Sequence, residues 1–118
     1  MSILENKANL VCTEMQSSGV DKTIAFDPFI ILMIVQIIVS IVEFYFQHCK
    51  KTPSLTLSSM QNPGILERWH LRRIIRDHVA DAEMNSFISP KLTDAYLKVA
   101  KTLTEEDVNQ MFEEAKTR

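Results

Sequence analysis

Glycine is almost missing from this chain: Gly19 and Gly64 are the only two in 118 residues. That scarcity argues against a turn-rich β fold, and two glycines cannot build a glycine-rich phosphate loop. Cysteine is as scarce. Cys12 and Cys49 form no CxxC and no Cys/His cluster, so neither a disulfide framework nor a zinc site is expected. His48, His70 and His78 make no HExxH and no pair at i, i+4, and the i, i+3 spacing of His78 and Asp81 is ordinary on a helix surface. There is no GxSxG, and neither thiol sits in a nucleophile context. No catalytic residue, metal ligand or cofactor site is therefore expected, and the chain reads as a non-enzyme. A dominant charge is missing too: 13 Lys and Arg against 15 Asp and Glu give a net charge of -2, without the global basic signature of a nucleic-acid binder. No internal repeat or low-complexity tract is present.

What the chain does have is helical pattern, with one long apolar run. Residues 27–48 read DPFIILMIVQIIVSIVEFYFQH. Asp27 is a good N-cap, with Pro28 at the first helical position. From Pro28 to Phe46 there are 19 residues, about 28 Å of helix against the ~30 Å hydrocarbon core of a bilayer. No full charge appears before Glu43, and aromatics mark both ends. A secretory signal peptide fits poorly, because the run starts late and lacks a basic flank before it and a small-residue cleavage site after it. The expectation is a transmembrane helix over 27–49. The alternative is the central helix of a bundle, which needs cover on nearly every face.

Four polar residues interrupt the run. Gln36, Ser40, Glu43 and Gln47 recur at i, i+4, i+7, i+11, within an arc of about 60°. In lipid such groups face protein or water, which predicts a helix–helix seam for self-association or for other membrane subunits. The plainer account lets Glu43 and Gln47 reach the headgroups, but it leaves Gln36 near mid-span unexplained. One Glu with no basic partner in the run gives little support to an ion path. Lys50, Lys51 and Arg68 after the run, against Lys7 and Lys22 before it, place the N-terminus outside and the C-terminus on the cytoplasmic or interior side. A span would put Cys12 and Cys49 on opposite sides, which rules out an intrachain bridge.

The flanks divide into three. Segment 1–26 carries a short amphipathic helix, with Ser2 and Glu5 as a capping box, Leu4, Ala8, Val11 and Met15 on one face, and Gly19 as a stop. Residues 50–63 read as a polar linker. Residues 64–118 read as a small three-helix module whose helices start after Pro63-Gly64, at Ser89-Pro90 and at Thr104. The first extends to about Met84, and Arg68, Trp69, Arg72, Arg73 and Arg76 lie beside its apolar face. These five are candidate contacts for anionic lipid or phosphate. Surface pairing with Glu67, Asp77, Asp81 and Glu83 is the plainer alternative.

The expected fold is all-α. The expected function is a small single-pass membrane protein acting as a structural or accessory subunit of a larger assembly, such as a respiratory-type complex or a membrane-containing virion. Alternatives are a membrane-tethered binder of anionic lipid or nucleic acid through the arginine helix, and a small pore or lysis protein that oligomerises through Gln36, Ser40 and Glu43.

Overall fold

Six of the seven helices begin where a short side chain meets the first free N–H groups, and the one after Gly64 starts without a side-chain cap. The computed structural model describes residues 2–48 and 52–118, and the described residues form seven helices and no strand. They are α1 (Ile3–Ser17), α2 (Lys22–Ala25), α3 (Pro28–His48), α4 (Pro53–Gln61), α5 (Ile65–Asp77), α6 (Ala82–Ala100) and α7 (Glu105–Lys116). The Ser2 side chain accepts from the Glu5 N–H at 3.1 Å, and Asp27 accepts from the Phe29 N–H at 2.8 Å. Thr104 and Asp107 complete a reciprocal capping box on α7. Gly19 ends α1 at φ 96°, in the left-handed region that glycine tolerates. The all-α expectation and the starts of α1, α3 and α7 therefore hold.

Two expectations are corrected. The supposed linker 50–63 contains α4, capped by Thr52 with Pro53 in the first turn; Thr56 and Met60 are buried, and α4 packs on α7, α6 and α3. The helix break placed at Ser89-Pro90 lies instead at 78–81. The Asp81 side chain accepts from the Met84 N–H at 2.9 Å and starts α6, and Pro90 sits inside that helix. Proline there removes one helical hydrogen bond, the one to the Ser86 carbonyl, and α6 continues because its C-terminal half buries Leu92, Tyr96, Val99 and Ala100.

α3 is the hub. It packs on α1, α7, α5, α4 and α2, while α1 also packs on α6 and α7, and α5 on α6. A single buried cluster runs from Leu4 to Ala115 and draws on all four segments distinguished in the sequence. The radius of gyration, 13.4 Å, matches the ~13.5 Å expected of a compact chain of this length. Polar ties join the chain ends. Glu114 of α7 accepts from the Ile3 and Leu4 N–H groups at 2.9 and 3.3 Å, Lys7 pairs with Asp107 at 3.3 Å, and Arg118 lies 3.8 Å from Glu5. Lys91 of α6 donates to the Ser18 carbonyl at 2.8 Å, and Gln61 of α4 donates to that of Leu103.

Candidate interaction surfaces

α3 is 21 residues long, and it is long and apolar enough to cross a membrane. In this packing nine of its side chains are buried against the other helices, from Ile30 to Tyr45. The residues left outside follow one stripe. Gln36, Glu43 and Gln47 are exposed and Ser40 is half-buried, so the four predicted seam residues do share a face. That face is open in the monomer. Phe29 (84% exposed), Leu32 and Phe46 stand along it, so it is more apolar than the four polar residues alone suggest. Near its C-terminal end Phe46 meets Phe112 edge-on at 5.3 Å, and the Lys116 ammonium lies 5.6 Å from the Phe46 ring.

The second surface is α5. Leu71 and Ile75 are buried and Ile74 is half-buried, which turns Arg68, Trp69, Arg72, Arg73 and Arg76 outward together. The expected neutralisation by nearby carboxylates is largely missing. Arg73 reaches Asp77 at 4.0 Å, whereas among the described residues Arg68, Arg72 and Arg76 have no carboxylate within 4.0 Å, and Glu67 faces His48 instead. The Arg73 guanidinium lies 5.5 Å from the Trp69 ring. The first turn of α5 adds Ile65 and Leu66, 88% and 73% exposed, two contacts not among those expected from the sequence, although they follow directly on Pro63-Gly64. His78 and Ala82, which a helix continuing to Met84 would place on the same face as Leu71 and Ile75, are exposed, because the helix has already ended at Asp77.

At the root of α5, Phe44 of α3 stacks on His48 at 5.7 Å and meets His70 at 4.9 Å, and His70 meets Trp69 at 5.0 Å. This row of rings fixes α5 on α3. A groove of about 940 Å³ runs between α5 and α6, with Trp69, Arg72 and Arg76 on one wall and Asn85, Ser86, Ser89, Thr93 and Asp94 on the other. Sequence reading placed the α5 wall and missed the α6 wall, because the two lie about twenty residues apart and α6 begins earlier than expected.

Among the described residues no cluster of His, Cys, Asp and Glu is arranged to hold a metal. Cys12 is buried and free; burial pushes its thiol up to about 11 against a weaker opposing hydrogen bond from its own backbone. Cys49, Lys50 and Lys51, on which the bridge and orientation arguments rest, lie outside the described residues. No protein-family profile, curated protein or solved structure matches this chain.

Proposed function

We propose that this chain is a small helical accessory protein of an anionic membrane surface, docked through the outer face of α5. One observation carries the reading. Ile65, Leu66 and Trp69 are exposed in the same helix face as four exposed arginines, three of them without a carboxylate partner among the described residues. Apolar side chains flanked by guanidiniums suit the boundary between headgroups and acyl chains, where the arginine stems lie along the apolar region and their charges reach phosphate. Each basic residue near an anionic leaflet contributes about 1 kcal/mol, and fully burying an Ile or Leu contributes about 1.5–3 kcal/mol. Together these support reversible binding that weakens as salt rises. Two adjacent exposed aliphatic residues bury more apolar surface among acyl chains than against a phosphate backbone, which favours lipid over that alternative.

The test is co-flotation of the full chain with vesicles. Binding to phosphatidylcholine vesicles doped with phosphatidylglycerol, weak binding to pure phosphatidylcholine, and loss in an Arg68→Gln/Arg73→Gln variant support the reading. Equal binding to both vesicle types, or binding to duplex DNA with none to vesicles, overturns it. The length and composition of α3 favour a second reading, a single-pass span with its C-terminal side interior and the stripe at Gln36, Ser40, Glu43 and Gln47 meeting another subunit or a second copy. Alkaline carbonate separates the two: a docked protein is released to the supernatant and a spanning one stays in the pellet.

A further inference from the structure

The groove between α5 and α6 is polarised across its width. On the α5 wall stand donors, the guanidiniums of Arg72 and Arg76 and the indole N–H of Trp69. On the α6 wall the side-chain donors are already engaged within the fold. The Asn85 amide donates to the Arg76 and Val79 carbonyls at 3.0 and 2.9 Å, and Ser86 donates to the Ala82 carbonyl. Ser89 donates to the Asn85 side-chain oxygen and Thr93 to the Ser89 carbonyl, each at 2.8 Å. What α6 has left to offer is acceptors. Pro90 has no N–H, so the Ser86 carbonyl receives no helical bond from position 90. The Asp94 carboxylate is exposed and has no basic group within 4.0 Å among the described residues. Along the groove, Arg76, Ser86 and Asn85 lie nearest the connecting turn, and Trp69 and Asp94 lie toward the far end, about two helical turns away.

Two guanidiniums alone would suit any anion, but a carboxylate beside them works against a simple one. The arrangement suits a ligand with both signs: phosphate oxygens against Arg72 and Arg76, and an N–H-bearing cation against Asp94 with the Trp69 ring alongside. We infer that this groove binds a phosphodiester bearing a primary ammonium, the chemistry of an aminophospholipid headgroup or of its water-soluble glycerophospho counterpart. The inference deepens the membrane-surface reading and rests on it for the lipid source. General surface charge draws the α5 face to the membrane; the groove then selects the headgroup.

Trp69 is the single tryptophan of the chain, so its fluorescence reports on the groove directly. The full chain is titrated with glycerophosphoethanolamine, with inorganic phosphate, and with phosphatidylcholine vesicles doped with either phosphatidylserine or phosphatidylglycerol. The expected result is a saturable change with the amine-bearing probes, and roughly tenfold weaker binding to phosphate and to phosphatidylglycerol vesicles, the ratio for one lost charge-assisted hydrogen bond. Arg76→Gln weakens every probe, Asp94→Asn erases the preference for the amine, and Arg68→Gln, outside the groove, leaves the soluble-probe titrations unchanged. All three positions are exposed, so the fold is retained, which circular dichroism checks.

Saturation by glycerophosphoethanolamine assigns a free small molecule, and saturation by phosphatidylserine vesicles alone assigns the membrane-held headgroup. If both vesicle types bind equally and Asp94→Asn changes nothing, the groove proposal falls while the α5 surface reading stands. If glycerophosphoethanolamine binds but no vesicle does, the groove stands and the membrane reading falls. No response to any probe overturns both.

Discussion

Of the polar ties between the two ends of this chain, one carboxylate makes two hydrogen bonds, and removing it gives a worked test of the fold. Glu114, on the last helix, accepts from the Ile3 and Leu4 N–H groups at the start of the first. Ser2 takes the Glu5 N–H, and the Asn6 N–H already bonds the Ser2 carbonyl, so the first four N–H groups of α1 are satisfied. Glu114→Ala frees two of them at a half-buried site. An N-cap deletion costs about 0.5–2 kcal/mol, and bonds to a charged acceptor sit at the upper end of the range. The Glu114 side chain is 22% exposed, so water replaces part of what is lost, and alanine's better helix propensity returns a few tenths of a kcal/mol. The expected net loss is about 1.5 kcal/mol. With about 2.1 cal/mol/K per residue, 118 residues unfold with an entropy near 0.25 kcal/mol/K, so Tm falls by about 6 °C. Glu114→Gln keeps one acceptor oxygen without the charge and should show roughly half of that shift.

The pH dependence has a definite sign. Burial pushes the Glu114 carboxyl upward, but hydrogen bonds from Ser2, Ile3 and Leu4 and the charge of Arg118 outweigh it and hold the group below its ordinary value of 4.5. The folded chain thus binds fewer protons than the unfolded one in that window. The contribution is complete above about pH 4.5 and is lost as pH falls through the folded value. Thermal melts followed by circular dichroism at neutral and acid pH provide the check: the gap between wild type and Glu114→Gln should close on acidification. Glu113→Ala is the control, since that neighbour is 76% exposed and caps nothing. A Glu114→Ala protein that melts with the Glu113→Ala control would refute the tie between the termini.

Three further outcomes follow from single side chains. The buried Tyr96 hydroxyl has no hydrogen-bond partner among the described residues, and burial, reinforced by nearby Tyr45, drives its pKa upward; Tyr96→Phe should therefore be neutral or stabilising by about 1 kcal/mol in urea denaturation, and a clear loss of stability would reveal a partner. Asn85→Ala removes both amide bonds that close the C-terminal end of α5 and should destabilise by about 1–2 kcal/mol, with amide exchange rising first at residues 76–81; uniform exchange would count against it. In a Cys49→Ser background the buried Cys12 thiol should react with a thiol reagent at mildly alkaline pH only as fast as the fold opens; labelling at the unfolded rate under native conditions would be inconsistent with its place in the core.

Much of this fold is legible locally because its signals are local. Thr104 with Asp107, Asp27 with Pro28, and Ser2 each mark a helix start through a bond spanning two or three residues. α4 is not legible in the same way. Its sequence, PSLTLSSMQ, has weak amphipathic character and becomes a helix with tertiary cover, with Thr56 and Met60 buried under its neighbours. Ser89-Pro90 looks like a helix start because proline is welcome there, yet Asp81 with Glu83 in the next turn is the cap in use. The polar stripe of α3 is legible as a stripe; which way it faces depends on which helices cover the other sides. The groove is least legible, since Asp94 and the Ser86 carbonyl gain meaning only once α6 lies along Arg72 and Arg76.

α3 poses one physical question for the whole molecule, because lipid and the bundle compete for the same apolar surface. In the bundle, the apolar faces of α1 (Leu4, Ala8, Val11, Met15) and α7 (Val108, Met111, Ala115) are covered, and α3 is among their neighbours. Uncovering seven such side chains costs on the order of 10 kcal/mol, as much as the whole stability of a domain this size. A spanning α3 is therefore incompatible with this packing unless α1 and α7 find other cover, on a partner or at the membrane surface. Gln36 sharpens the contrast. At mid-span in lipid it needs a partner for its amide, whereas here it is exposed and water supplies one. Cys12 reports which state prevails, because it is buried in the core shared by α1 and α3. A carbonate-resistant protein whose Cys12 labels readily has left the bundle; a carbonate-released protein whose Cys12 stays protected keeps α3 as its core, which leaves the exposed face of α5 as the surface to test against vesicles.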